Sequence, residues 1–166
     1  MGDALGYVDL GTGRTAVSIS AGDQHTCAIL DNATLKCWGN GSRGRLGQGN
    51  STSYGSAQGT MGDALPAVNL GTGRTAVKVA GGEEFTCVLL DDLSVVCFGE
   101  NGSGQLGVGH TEDMGKAAGD MGDSLVDVDL GSDSDHAVAD LTSGPCARFE
   151  DGRIKCWGYN LYGSTG

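Results

Sequence analysis

The sequence predicts an all-β protein: a partial β-propeller of about three four-stranded antiparallel blades, the third of them incomplete. Two observations carry this prediction, namely a segment that recurs three times and the short apolar runs between glycine-rich turns within each copy. HTCAILDNATLKCWGNGSRGRLGQG at 25–49 returns as FTCVLLDDLSVVCFGENGSGQLGVG at 85–109 and, eroded, as GPCARFEDGRIKCWGYNLYGSTG at 144–166. Four strands in about 40–60 residues match the size of a propeller blade, whereas solenoid repeats are usually shorter.

The repeat boundaries follow from three methionines. Met1, Met61 and Met121 open the copies as MGDAL, MGDAL and MGDSL, at a period of 60 residues. We therefore divide the chain into blade repeats 1–60, 61–120 and 121–166, the last of them truncated. Since Met1 corresponds to a repeat position, we expect the chain to be a window of a longer protein.

Each copy yields its strands in the same order. A candidate strand, LGYVDL or LPAVNL, precedes a GTGRT turn, and a second candidate strand, AVSIS or AVKVA, precedes a glycine corner. The next two strands form a hairpin around an acidic turn, which is Asp31-Asn32 in the first copy. An aromatic residue, a glycine and a glycine-rich loop follow the hairpin. The 31 glycines lack a G-X-Y period and therefore act as turn residues.

Charge and hydropathy exclude several classes of function. Ten Lys and Arg against 21 Asp and Glu give a formal charge of −11, which repels nucleic-acid backbones. No apolar run is long enough to span a bilayer, so we expect no membrane insertion. No export signal is visible after Met1.

Six cysteines form three pairs with nine residues between the members. They are Cys27 and Cys37, Cys87 and Cys97, and Cys146 and Cys156. Such spacing across a hairpin places the two side chains on neighbouring strands, close enough for a disulfide. The alternative is that each pair is reduced and packs as small apolar residues. Recurrence of both members in the eroded third copy favours disulfides, and the wide spacing argues against zinc.

The hairpins carry a longer motif, xVxVAAGxxHTCxLxxxGxVxCWGxNxxGQLGxG, which residues 77–109 match almost throughout. This motif resembles the repeat of the regulator of chromosome condensation family. The resemblance implies a β-propeller, seven-bladed in the best-known members, and leaves the activity open. This chain differs from the family in its longer repeat and its paired cysteines. We predict that Trp38, Phe98 and Trp157, which each follow the second hairpin cysteine, pack between blades.

No catalytic, cofactor-binding or metal-binding residue is predicted. His25 is replaced by Phe85 in the second copy, and neither His110 nor His136 has a repeated partner, so each histidine is expected to be structural. No nucleophile motif with a placed histidine and acid occurs. The aspartates of the third copy lack the spacing of a calcium loop and indicate a solvated acidic surface. They are Asp123, Asp127, Asp129, Asp133 and Asp135. We therefore predict that the chain is not an enzyme and takes no cofactor.

Four N-x-S/T sequons lie in predicted turns or loops, at Asn32, Asn40, Asn50 and Asn101. We treat them as candidate N-glycosylation sites. Together with the cysteine pairs they favour a secreted glycoprotein. The sequence thus predicts a non-enzymatic extracellular structural or interaction module, part of a larger array, whose partners are proteins or further copies of the same repeat. The alternative is an intracellular regulatory propeller of the GTPase-exchange or chromatin-associated type.

Overall fold

The computed structural model describes residues 4–131 and 137–166, and in that part of the chain the all-β class is confirmed. Asp133, Asp135 and His136 lie outside the described residues. Within the described residues, nine strands form three antiparallel sheets in sequence order, one in each predicted repeat. The first sheet contains β1 (Ala16–Ala21), β2 (His25–Leu30) and β3 (Leu35–Gly39); the second β4 (Ala76–Gly81), β5 (Phe85–Leu90) and β6 (Val95–Gly99); the third β7 (Val138–Leu141), β8 (Cys146–Phe149) and β9 (Ile154–Cys156).

The acidic turn fixes the register of each hairpin. In the first sheet the Leu30 amide donates to the Thr34 carbonyl, and Asn32 Oδ1 accepts from the Thr34 amide. Ala33 takes a positive φ of 63°, as Leu93 does at 69° in the second hairpin. This tight turn sets the cysteines of each pair directly opposite one another on the two strands.

Each sheet has three strands, not the four that the sequence predicts. In the second and third repeats, the segment predicted as the first strand is irregular. It contacts the sheet of the preceding repeat. The Val68 amide donates to the Leu35 carbonyl at 2.9 Å, and the Val128 amide donates to the Val95 carbonyl at 2.7 Å. Pro66 brings no N–H to this contact, but Val126 at the same place in the third repeat forms no longer ladder either. The first segment of the second repeat and that of the third therefore each lie at the edge of the preceding repeat's sheet.

Two apolar cores lie between successive sheets. The first joins Ile29 and Leu35 of the first sheet to Val79, Val88 and Phe98 of the second. The second joins the second and third sheets through a similar set of residues, which includes Leu89, Val95, Val138, Ala147 and Phe149. Segments 65–70 and 125–130 contribute Val68, Leu70, Leu125 and Val128 to the same cores. The sheets thus stack face to face as blades of an arc.

No described helix is long and apolar enough to cross a membrane. The short helical turns, at Ser42–Gly44, Gly62–Ala64, Ala118–Asp120 and Gly122–Ser124, have three residues each and belong to loops.

Candidate interaction surfaces

The six cysteines form three cross-strand pairs at disulfide distance, as the spacing predicts. The sulfur atoms are 2.11 Å apart in Cys27–Cys37, 2.07 Å in Cys87–Cys97 and 2.11 Å in Cys146–Cys156. The first two pairs are buried between sheets, and the third is half-buried on the outward face of the third sheet. Each pair closes one hairpin at the same place in its blade.

The three aromatic residues after the cysteines occupy equivalent positions with different surroundings. Phe98 is fully buried, and its ring lies so close to the backbone of Gly47 that a Cβ there would come within 2.7 Å of it. Gly47 has φ of +65°, so glycine satisfies both the backbone conformation and the close approach. Trp157 packs against Gly107 in the same way, and its Nε1 donates to the Gln105 carbonyl at 2.9 Å. Trp38 lies in the first sheet that the described residues form and is half-buried against Tyr54 and Gly55.

A buried polar cluster joins the first and second sheets. His25 Nε2 lies 2.8 Å from Thr86 Oγ1, and the Thr86 hydroxyl donates to the Arg45 carbonyl at 2.8 Å. Since that hydroxyl gives its hydrogen to Arg45, it accepts from His25, which places the histidine proton on Nε2. His25 Nδ1 is buried and has no partner among the described residues. Burial, with the nearby positive charge of Arg45, lowers the pKa of His25 to about 4.

Arg45 extends this cluster to the surface. Its guanidinium is buried: Nε donates to the Ser42 carbonyl, and one terminal nitrogen lies 2.9 Å from Glu84. Arg43 reaches the same carboxylate at 3.9 Å and Asp113 at 3.3 Å. Two arginines of the first repeat thus fill the space between the first and second sheets on this face.

The corresponding space between the second and third sheets is open. Ser103 and Gln105 stand where the first repeat has Arg43 and Arg45, and a groove of about 600 Å³ remains. Its walls carry three glutamates and the rings of Phe85, Pro145 and Tyr159. The glutamates are Glu83, Glu84 and Glu100. Glu84 already pairs with Arg45, so Glu83 and Glu100 are the carboxylates that make this groove suit a basic protein segment by charge.

The sequons differ in accessibility. Asn32 is exposed at a hairpin turn, whereas Asn40 and Asn50 are half-buried and their Nδ2 atoms donate to Gln24 and to the Gln48 carbonyl. Asn101 is fully buried: Nδ2 donates to the carbonyls of His110 and Glu112, and Oδ1 accepts from the Leu106 amide. A glycan on this Nδ2 has no room and removes a donor, so Asn101 as a candidate glycosylation site is wrong.

Across residues 4–131 and 137–166, no three His, Cys, Asp or Glu side chains are grouped so that they could hold a metal ion. His25, the one histidine of the buried cluster, bonds to a threonine. Sequence reasoning placed His25 as a structural residue and missed Arg45. Arg45 lies in a glycine-rich loop, where no alternation of apolar residues indicates which side chains are buried.

Comparison with known proteins gives consistent relatives. Residues 16–45 and 76–105 match the regulator of chromosome condensation (RCC1) repeat. The chain is 29% identical to the X-linked retinitis pigmentosa GTPase regulator of Homo sapiens over 154 residues, which are 90% of this chain and 13% of that protein. It is 30% identical to the ultraviolet-B receptor UVR8 of Arabidopsis thaliana over 158 residues, 93% of this chain and 32% of that protein.

The arc also superimposes on a solved propeller. The structure of Prp20p from Saccharomyces cerevisiae, studied with its binding to Gsp1p and histones, matches with a TM-score of 0.66 and 23% identity. The match covers 93% of this chain and 33% of that one. The chain therefore spans about a third or less of the length of each of these three proteins.

Proposed function

We propose that this chain, which is built of repeats of the regulator of chromosome condensation family, is a structural and protein-interaction module that acts outside the cell. It catalyses no reaction and forms part of a larger array of repeats. The match to the family's repeat supports the propeller, and the binding of Gsp1p and histones by Prp20p supports a role in protein binding. The extracellular setting and the partner surface are our proposal for this chain.

The cysteine pairs carry the extracellular part of the proposal. All six cysteines lie in pairs at disulfide distance, at one equivalent place in each sheet. Disulfides of this kind persist in oxidising compartments and are rare where glutathione keeps thiols reduced. The exposed sequon at Asn32 supports the same setting, because an oligosaccharide there extends into solvent.

The acidic groove supports the choice of a protein partner. Glu83 and Glu100 face the groove between the second and third sheets. The equivalent space between the first and second sheets is occupied by Arg43 and Arg45 of the chain itself. A partner segment that carries arginine or lysine would supply the same charge from outside. Prp20p, of the same fold, binds the proteins Gsp1p and histones.

The thiol state of the natural protein tests this proposal. Cells or culture medium are treated with an alkylating reagent under denaturing, non-reducing conditions, and tryptic peptides are analysed by mass spectrometry. We expect two linked peptide pairs, through Cys27–Cys37 and Cys146–Cys156, and one internally cross-linked peptide that contains both Cys87 and Cys97, in secreted material. Six alkylated cysteines in protein from the cytosol or nucleus would overturn the extracellular proposal.

That second result would favour the alternative function, an intracellular regulatory propeller. The relative named a GTPase regulator supports this alternative by its likeness over 90% of the chain. Capture of a nucleotide-dependent GTPase by the reduced protein would then be the direct test.

A further inference from the structure

The groove between the second and third sheets presents carboxylates that the chain itself does not neutralise. We infer that this groove is the docking site for one arginine side chain of a partner protein, whose guanidinium pairs with Glu83 and Glu100 beside the ring of Tyr159. The inference rests on the proposed function as a protein-interaction module and names the residue that the partner supplies. Both walls of the groove belong to the chain, one to the second repeat and one to the third.

The interface between the first and second sheets shows what the equivalent space holds when the chain fills it. Arg45 is 1% exposed there, and its Nε donates to the Ser42 carbonyl. A terminal nitrogen of the same side chain lies 2.9 Å from a carboxylate oxygen of Glu84, which belongs to the next repeat. A guanidinium therefore fits between two neighbouring sheets at this level of the arc, with a carboxylate as its partner.

The interface between the second and third sheets lacks both members of this pair. Gln105 stands in the place of Arg45, and Ser143 stands in the place of Glu84. Gln105 Oε1 accepts a hydrogen bond from the Ser103 amide at 2.8 Å, so this side chain bonds to its own loop. The groove of about 600 Å³ thus lies where the preceding interface holds an arginine.

The carboxylates of the groove stand on the opposite wall, in the second repeat. Glu100 takes the place of the neutral Asn40, and Glu83 takes the place of Asp23. Glu100 Oε1 accepts from the Gly102 amide, and Glu83 has no hydrogen bond or ion pair among the described residues. No lysine or arginine of the described residues lines the groove. The negative charge is therefore present without the cation that accompanies it in the preceding interface.

The walls favour arginine over lysine. A guanidinium donates hydrogen bonds in a planar fork and stacks on aromatic rings, whereas an ammonium is a compact and strongly hydrated charge. Phe85 and Tyr159 line the same groove, and Tyr159 is exposed. Pro145 adds apolar surface that can cover the aliphatic stem of the incoming side chain. The groove thus offers contacts to the charge, the flat face and the stem of an arginine.

One arginine alone binds weakly at such a site. Partly exposed ion pairs contribute little in water and are screened by salt, so we expect a dissociation constant of about 1–10 mM for an isolated arginine side chain. The formal charge of −11 attracts a cationic partner over a longer range. The groove therefore sets where the arginine of a partner docks, and contacts around it add affinity.

NMR titration of the isotope-labelled, oxidised 166-residue chain tests the inference. The probes are three tripeptides, Gly-Arg-Gly, Gly-Lys-Gly and Gly-citrulline-Gly, each acetylated and amidated so that only the central side chain differs. We expect the arginine peptide to shift the amide signals of Glu83, Glu100 and Tyr159. It should bind about tenfold more tightly than the lysine peptide, and the uncharged citrulline peptide should not bind.

Matched variants separate the groove from the general negative charge of the chain. Glu100→Gln removes one charge from the groove and keeps an acceptor for Gly102, whereas Glu112→Gln removes one exposed charge elsewhere. The double variant Gln105→Arg, Ser143→Glu rebuilds the pair of the preceding interface and fills the groove from within. We expect Glu100→Gln and the double variant to weaken binding of the arginine peptide by about fivefold or more, and Glu112→Gln to leave it unchanged.

Equal binding of the arginine and lysine peptides, equal losses in Glu100→Gln and Glu112→Gln, or full binding by the double variant would each overturn the inference. Spermidine that shifts the same signals at the same concentration would also overturn it, because the groove would then bind any cation. Circular dichroism and thermal melting verify that each variant folds. These results do not depend on the thiol state of the natural protein, so failure here and failure of the extracellular proposal are distinguishable.

Discussion

Acidification to pH 5 should weaken the contact between the first and second sheets through His25. In the folded protein this histidine bonds through Nε2 to Thr86, and Nδ1 is buried without a partner. Protonation of Nδ1 creates a buried N–H that has no acceptor, beside the charge of Arg45. Its pKa of about 4 in the folded state, against 6.5 in the unfolded chain, expresses this cost.

The sign follows from proton binding in the two states. Between pH 6.5 and pH 4 the unfolded chain binds a proton that the folded protein does not, so the free energy of unfolding falls as the pH falls. The loss amounts to about 2 kcal/mol between pH 7 and pH 5 and about 3 kcal/mol once both states are protonated. Carboxylates such as Asp63 and Asp123, whose pKa values lie below 3.8 because threonines donate to them, lose their contribution only at still lower pH.

Urea unfolding followed by tryptophan fluorescence at pH 7, 6 and 5 measures this effect. The matched variant is His25→Phe, since the second repeat has Phe85 at this position, although the variant also leaves Thr86 without its donor. We expect the wild type to lose about 2 kcal/mol over this interval and the variant to lose much less. Equal losses in both proteins would refute the assignment to His25.

Three further predictions concern packing, glycosylation and cross-links. Phe98→Ala should cost about 3–5 kcal/mol, because the ring is fully buried between sheets, and the half-buried Trp38→Ala should cost clearly less; thermal melting compares them, and equal costs would contradict the difference in packing. Glycopeptide analysis of secreted protein should find a glycan at Asn32 and none at Asn101; an occupied Asn101 would contradict its burial. The double substitution Cys87→Ala and Cys97→Ala should cost roughly 2–3 kcal/mol in urea unfolding, since the pair closes a short loop in the unfolded chain; unchanged stability would argue against a formed disulfide.

The hairpins were predictable because local rules determine them. The acidic turn, the alternation of apolar residues and the equal cysteine spacing act over about ten residues, and together they give the register that sets Cys27 opposite Cys37. The place of Phe98 after the second hairpin cysteine also predicted its packing between sheets, whereas its contact with Gly47 of the preceding repeat was not predicted.

The fourth strand and the groove were not predictable in the same way. LPAVNL has the composition of a strand, but its place in the fold depends on one long-range bond from Val68 to Leu35, and propensity does not report such a contact. The groove arises because Ser103 and Gln105 replace Arg43 and Arg45, and only the packed sheets reveal that Arg45 is buried. The burial of Asn101 likewise depends on carbonyls about ten residues away along the chain.

The hydrogen bond from the Val68 amide to the Leu35 carbonyl is a joint between two repeats. The segment that is duplicated in the sequence is therefore not the segment that folds as one unit. A genetic event that copies 60 residues adds one sheet and one such joint, and every existing joint keeps its partner. Duplication of whole repeats therefore keeps each donor paired with its acceptor, whereas an insertion of half a repeat would separate them. For the same reason, a protease that cuts the loop at 55–60 should leave the two fragments bound, since residues 65–70 on the second fragment still hold the edge of the first sheet. We expect the cleaved protein to elute as one particle in gel filtration and to separate into two fragments only in denaturant.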